Sequence, residues 1–163
     1  MKTLLLLRHA KSSWKHPELA DHDRPLNKRG KRTAPLMGAL LQDEDLIPDL
    51  ILCSSAVRAH TTALLAAKAC AYAGEIKRIR KLYLAEPQTY VEVLRQVAEK
   101  HACVLVVGHN PGLEVLIEAF TGEAMAMPTA ALAQVELSLK RWSNLDTDTG
   151  CKLVNVWRPK DWG

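Results

Sequence analysis

The sequence is poor in aromatics, with four Trp, three Tyr and one Phe in 163 residues, and it carries only eight Gly, eight Pro and four Cys. So few glycines and prolines exclude collagen-like and low-complexity chains, and an apolar fraction of 48% beside 25% charged residues excludes a disordered one. Long hydrophobic runs are missing too. The longest aliphatic run, Leu4-Leu5-Leu6-Leu7, is closed by Arg8-His9, far below the roughly 20 residues of a membrane-spanning helix and short of a signal-peptide core. A cytoplasmic location with no membrane partner is the expectation. Cys53, Cys70, Cys103 and Cys151 form no C-x-x-C pair, so neither a disulfide framework nor a zinc cluster is expected. Charge of one sign is scarce as well: 22 Lys+Arg against 18 Asp+Glu leave +4. The basic runs Lys28-Arg29-Gly30-Lys31-Arg32 and Lys77-Arg78-Ile79-Arg80-Lys81 contain no interleaved aromatics, so they read as solvated faces and no nucleic-acid partner is expected.

What is present is one domain's worth of chain, residues 1–163, enough to bury roughly 70% of the surface the unfolded chain exposes. Strand-like and helix-like segments alternate along it. Residues 4–7, 49–53 and 103–107 read as buried strands, with a brief strand in 76–82. Helices are expected over 27–42, over 55–72 with Ser55 as cap, from Pro87 to Lys100, and from Pro111 at the first helical position, capped by Asn110, to about Phe120. This alternation predicts an α/β fold, a mainly parallel sheet covered by helices on both faces. The tail departs from it: residues 132–140 and 152–158 read as extended segments around the polar turn 143–150, an antiparallel C-terminal hairpin at a sheet edge. Trp157 and Trp162, at and beyond its end, are candidates for an interface.

Ligand sites of such sheets lie beyond the carboxyl ends of the strands. Three strands end in Arg8-His9, in Ser54-Ser55-Ala56-Val57-Arg58, and in Gly108-His109-Asn110-Pro111-Gly112. Parallel and adjacent, they bring two histidines, two arginines and two helix N-termini to one edge, an anion site. There is no H-E-x-x-H and no carboxylate cluster at ligand spacing, so neither metal nor cofactor is expected. Neutral imidazole is a competent nucleophile toward phosphorus, which makes His9 the nucleophile and Arg8, Arg58 and His109 the clamp for phosphoryl transfer. Cys53 is not a rival: Cys53 to Arg58 spells C-x4-R, not the C-x5-R of a cysteine phosphatase.

These residues carry a resemblance. Leu7-Arg8-His9-Ala10, Ser54 through Thr62, and Val107-Gly108-His109-Asn110-Pro111-Gly112 resemble the three signature segments of the histidine phosphatase superfamily, to which phosphoglycerate mutase belongs. The small size and Asp23-Arg24-Pro25-Leu26-Asn27-Lys28-Arg29-Gly30 resemble its SixA-type phosphohistidine phosphatase branch most. The resemblance covers Met1 to about Phe120 and implies a three-layer α/β/α sandwich of the phosphoglycerate mutase kind, a His9 that is transiently phosphorylated, and phosphoryl binding by Arg8, Arg58 and His109. Ala10 stands where the superfamily's usual opening has glycine, so the backbone there should need no glycine-only conformation. The superfamily's general acid has one well-placed candidate, Glu86, and SixA-type relatives can lack that acid.

The implied activity is metal-independent hydrolysis of phosphohistidine on a protein. The alternatives are a small-molecule phosphomonoester phosphatase using Glu86, and a non-catalytic phosphate-recognition module. The partners are correspondingly a phosphorylated protein or a small phosphate ester, with phosphate ion as product. By the same resemblance Arg24 borders the pocket and touches substrate, and Ser12, which follows the nucleophile, is the other candidate substrate contact, at the entrance. Trp14, Met125 and Met127 read as packing residues; Thr62, one turn from Arg58, either orients the guanidinium or packs. His16, His22 and His101 read as surface or loop histidines, and His60 as lying on the face of its helix away from the clamp.

Overall fold

Four consecutive leucines cannot share one side of a strand, and in β1 (Lys2–Arg8) they divide: Leu4 and Leu6 enter one core, Leu5 and Leu7 another. The same division runs through β2 (Leu50–Ser54) and β4 (Cys103–Gly108), where Leu52 and Val106 face one way, Ile51 and Leu105 the other. Strands buried on both faces need helices on both, and the computed structural model, which describes residues 1–159, has them. α1 (Lys28–Asp43) and α2 (Val57–Ala69) cover one face through Ala34, Met37, Leu41, Ala59, Ala63 and Ala66. α3 (Pro87–Leu94) and α4 (Gly112–Thr121) cover the other through Tyr90, Leu94, Leu113, Leu116 and Ile117.

With β3 (Ile76–Ile79), β5 (Leu132–Leu137) and β6 (Cys151–Trp157) the sheet runs β3-β2-β4-β1-β5-β6. The first four strands are parallel, β5 is antiparallel to β1, and β6 is antiparallel to β5. This is the expected three-layer sandwich with its antiparallel C-terminal hairpin. No described helix is long and apolar enough to cross a membrane. Trp157 packs against the α1–α2 core, whereas Trp162 lies outside the described residues.

Several boundaries differ from the sequence-based expectation, some of them because a side-chain partner outcompetes a local preference. α3 stops at Leu94, short of Lys100: past it the chain tightens into turns, the Gln96 and Val97 N–H groups bonding three residues back to the Val93 and Leu94 carbonyls, and further on the Lys2 ammonium donates to the carbonyls of Glu99 and His101 and the Trp142 indole to His101 at 2.7 Å. α2 is capped by Ala56, not Ser55; the Ser55 hydroxyl is bonded to His22 Nε2 at 2.8 Å, while Ser54 Oγ accepts from the Ala56 N–H. α4 begins at Gly112 with Pro111 as its cap, and the Asn110 amide donates to the Glu114 carboxylate and the Met127 carbonyl. β3 gives way to a single 3-10 turn, Arg80–Leu82, and β5 ends at Leu137, before Lys140.

Candidate active site

The parallel register sets Arg8 beside Gly108 and Cys53 beside Val107, so β2, β4 and β1 end level with one another. Their carboxyl ends open on a cleft of about 300 Å³ whose lining includes Arg8, His9, Ser12, Arg24, Arg58 and His109. Close packing beneath it requires two glycines: a Cβ on Gly108 would collide with the Tyr90 hydroxyl and one on Gly112 with the Ala85 carbonyl. Tyr90 uses its hydroxyl to accept from the His109 N–H at 3.2 Å. The backbone of the Arg8-His9 pair is held from both sides, His9 N–H on Gly108 O at 3.1 Å and Ala130 N–H on the carbonyls of Arg8 and His9.

His9 is 7% exposed, and its ring is fixed by a 2.8 Å hydrogen bond to the Ala10 carbonyl. A carbonyl only accepts, so Nδ1 carries the proton and Nε2 keeps the lone pair. Burial pushes the imidazole down to about 4, against the Ala10 hydrogen bond and with help from the charges of Arg58, Arg8 and Arg24. His9 is therefore neutral at pH 7, as a nucleophile must be. Ala10 does not have a positive φ, which answers the expectation raised by its replacing glycine. Its N–H donates to Thr62 Oγ1, which donates to the Arg58 carbonyl at 2.7 Å, so Thr62 ties the nucleophile's segment to α2 and does not touch the guanidinium.

His109 lies 5.1 Å from His9, centroid to centroid. Burial, the neighbouring His9 and Arg58 push it down to about 3. The Ser54 hydroxyl accepts from Ala56 N–H and lies 2.7 Å from His109 Nε2, positioned to donate its own proton to that nitrogen in the tautomer that carries the ring proton on Nδ1. Nδ1, like Arg8 Nε, is buried with no partner among the described residues; in that tautomer both are donors that a phosphoryl oxygen would satisfy.

Arg58, 4% exposed, donates to the Asp21 carbonyl at 2.7 Å and to the Asp21 carboxylate at 2.9 Å. Arg24 donates to the Ser13 carbonyl, to the same carboxylate at 3.0 Å and to Ser12 Oγ at 2.6 Å, and its guanidinium stacks on Trp14 at 3.3 Å from the ring centroid. Ser12 and Arg24 both line the cleft, bonded to each other. Trp14 is 78% exposed and lies on the rim, not in the core; Met127 is buried, as expected, and its carbonyl accepts from Arg8.

Two carboxylates were not singled out from the sequence. Asp21 bridges Arg58, Arg24 and the Tyr83 hydroxyl. Burial pushes its carboxyl up, but the hydrogen bonds from Tyr83, Arg58 and Arg24 outweigh that and hold it well below the usual carboxylate range. Glu114 accepts from the Asn110 amide and the Met127 N–H, fixing the segment that bonds Arg8. Their signals were faint, an Asp-x-x-Arg spacing from Asp21 to Arg24 and an i,i+4 pair from Asn110 to Glu114. Glu86, by contrast, is exposed at the cap of α3 and is not among the residues lining the cleft; the structure does not bring it to the clamp. Among the described residues no cluster of three or more His, Cys, Asp or Glu is placed to hold a metal ion.

Comparison with known proteins agrees with this fold. Residues 4–82 match the family model of the histidine phosphatase superfamily (branch 1). An uncharacterised protein of Mycobacterium tuberculosis is 34% identical over 160 residues, covering 89% of this chain and 94% of its own. The crystal structure of the protein assigned as phosphohistidine phosphatase SixA in Agrobacterium tumefaciens superposes with a TM-score of 0.83 at 30% identity, covering 97% of this chain and 98% of that one. The protein histidine phosphatase SixA complexed with tungstate shares the fold, with a TM-score of 0.85 at 21% identity over 99% of each chain.

Proposed function

The chain belongs to the histidine phosphatase superfamily, in its SixA-like branch, and from that membership we propose that it hydrolyses phosphohistidine on proteins through a covalent phospho-His9 intermediate. Membership by itself supports a phosphatase, a hydrolase acting on phosphoric bonds. In the proposed cycle, the His9 Nε2 lone pair attacks phosphorus, a P–N bond to His9 forms and the P–N bond to the substrate imidazole breaks. The substrate imidazole, already protonated on its other ring nitrogen, leaves as neutral imidazole with the electron pair of the broken P–N bond. Water then attacks phospho-His9, releasing phosphate and restoring neutral His9. Arg8, Arg58 and the Nδ1–H of His109 carry the charge on the equatorial oxygens, and Ser12 and Arg24 border the substrate.

The observation that carries the phosphohistidine reading is the absence of any carboxylic acid among the residues lining the cleft. Asp21, the carboxylate nearest the clamp, is held ionised by three donors and cannot release a proton at neutral pH. Alkoxide leaving groups benefit from a positioned acid, whereas an imidazole leaving group is readily protonated. Steady-state turnover tests the reading with chelator-treated protein and matched phosphohistidine and phosphoserine peptides. The phosphohistidine peptide is expected to be hydrolysed at least about 100-fold faster in kcat/KM, the scale of a missing general acid. Equal rates, or a faster phosphoserine reaction that Glu86→Gln abolishes, would move the assignment to phosphomonoesters. Peptide binding with no turnover of either would leave a recognition module.

A further inference from the structure

Beside the catalytic cleft lies a second cavity of about 200 Å³, lined by Lys11, Arg29, Thr33, Pro128, Thr129 and Pro159. Lys11 and Thr129 line both cavities, so the two adjoin. The lining holds two cations and two hydroxyls and no acid. The ion pairs found among the described residues lie elsewhere and use neither Lys11 nor Arg29. Two like charges turned toward one small space repel each other, and an anion between them converts that repulsion into two attractions. An arginine fork suits a carboxylate, which accepts two parallel hydrogen bonds, and the Thr33 hydroxyl, held only by a 3.4 Å hydrogen bond to the Gly30 carbonyl, can turn to donate to it as well.

The position of this cavity relative to the nucleophile is fixed by backbone contacts. The Asn27 N–H donates to the Lys11 carbonyl at 3.0 Å, Ser13 N–H donates to Pro25 O at 2.8 Å, and Ser12 and Leu26 form an antiparallel bridge. Gly30 sits against the Lys11 backbone so closely that a Cβ would collide with its carbonyl, which locks the first turn of α1 onto the segment following His9. Lys11 is two residues beyond His9, a span of at most roughly 7 Å between their Cα atoms. A phosphoryl group on His9 and an anion in the second cavity are therefore within the reach of neighbouring side chains on one polypeptide.

We propose that the Lys11–Arg29–Thr33 cavity is a substrate subsite that binds an aspartate or glutamate side chain of the protein carrying the phosphohistidine. The inference rests on the phosphatase reading above and deepens it, giving the basic start of α1 a role in choosing the substrate. The test uses a phosphohistidine peptide series in which a single Glu replaces Gln at each position within four residues of the phosphohistidine, with phosphoramidate as a minimal substrate. On the wild type, at least one Glu peptide should show a kcat/KM about tenfold above its Gln counterpart, expressed mainly in KM. In Arg29→Gln, and in Thr33→Val as a second variant, that Glu-to-Gln ratio should collapse toward one. A ratio near one throughout on an active wild type, or a preference that survives both substitutions, overturns the subsite while leaving the phosphatase reading intact. An Arg29-dependent preference for a free phosphoamino acid over every Glu peptide overturns its assignment to a protein side chain. A wild type inert toward phosphoramidate and every peptide sinks the phosphohistidine reading, and the subsite falls with it.

Discussion

The floor of the cleft and its rim are built by different means. Arg8, His9, Ser54 and His109 stand at the ends of adjacent parallel strands, with Arg58 in the first turn of the helix that follows one of them, and backbone hydrogen bonds hold them in place. The rim, from Lys11 through Asp23 with Leu84 and Thr129, is loop with one 3-10 turn at Asp21–Asp23; backbone bonds tie Lys11, Ser12 and Ser13 to the segment that opens α1, and beyond them side chains do the holding, Arg24 stacked on Trp14 and Asp21 shared by Arg58, Arg24 and Tyr83. Leu84 even holds a left-handed φ of 50° at the edge of the cleft, a conformation costly for a branched residue. Chemistry that must be placed to fractions of an ångström sits on the sheet, while recognition sits on loops that can vary without disturbing it.

If that division is right, substitutions in the floor cost far more than substitutions in the rim. Arg58→Ala removes a buried clamp residue and should lower kcat/KM for a phosphohistidine peptide by about 10²–10³-fold, measured by phosphate release. The buried histidines should also mark the floor in the pH dependence of stability. Both have folded-state values below the ordinary 6.5, so between pH 6.5 and 4 the unfolded chain binds more protons than the folded one. Stability is complete above about pH 6.5 and falls as pH drops toward 4, by about 3 kcal/mol for each histidine. Urea unfolding at pH 7 and pH 4 checks this, and His109→Gln should reduce the loss.

Asp21→Asn tests the rim's hold on the floor. With the carboxylate gone, Arg58 and Arg24 lose a shared partner, and kcat/KM should fall by about tenfold, mostly in KM, with circular dichroism unchanged. The smallest effect belongs to Glu86→Gln, less than about twofold on phosphohistidine substrates, since that side chain is exposed outside the cleft. A large Glu86 effect beside a small Arg58 effect would invert the comparison.

The same division explains what was legible in the sequence. Arg8-His9, Ser54 through Arg58 and Gly108-His109 were readable because each follows an apolar strand, and strand ends converge by topology. The antiparallel tail was readable from alternation and a polar turn. Asp21 was not: it lies 37 residues from Arg58 in the chain, and nothing local shows that the two meet. Trp14 read as packing because an aromatic near a site is usually buried, but here Arg24 offers it a cation to stack on in the open. Ser55 and Asn110 are good caps by residue type, and both were recruited instead by partners distant in sequence or on the next turn, His22 and Glu114. The helix expected to reach Lys100 ends at Leu94 in turns closed three residues back by the Gln96 and Val97 N–H groups, and the chain beyond is anchored at Glu99 and His101 by Lys2 and Trp142, residues far away in sequence.

The central claim is that neutral His9, with Nε2 free, takes the phosphoryl group. The most direct measurement is a rapid quench into alkali, which preserves phosphohistidine, of chelator-treated protein mixed with a phosphohistidine peptide, followed by mass-spectrometric location of the phosphate on the chain. The account predicts a transient phosphoryl group on His9, lost on acid treatment, decaying as phosphate appears, and absent from His9→Ala together with turnover. Phosphate release with no phosphorylated protein at any time, or a phosphoryl group on another residue that persists in His9→Ala, would contradict it.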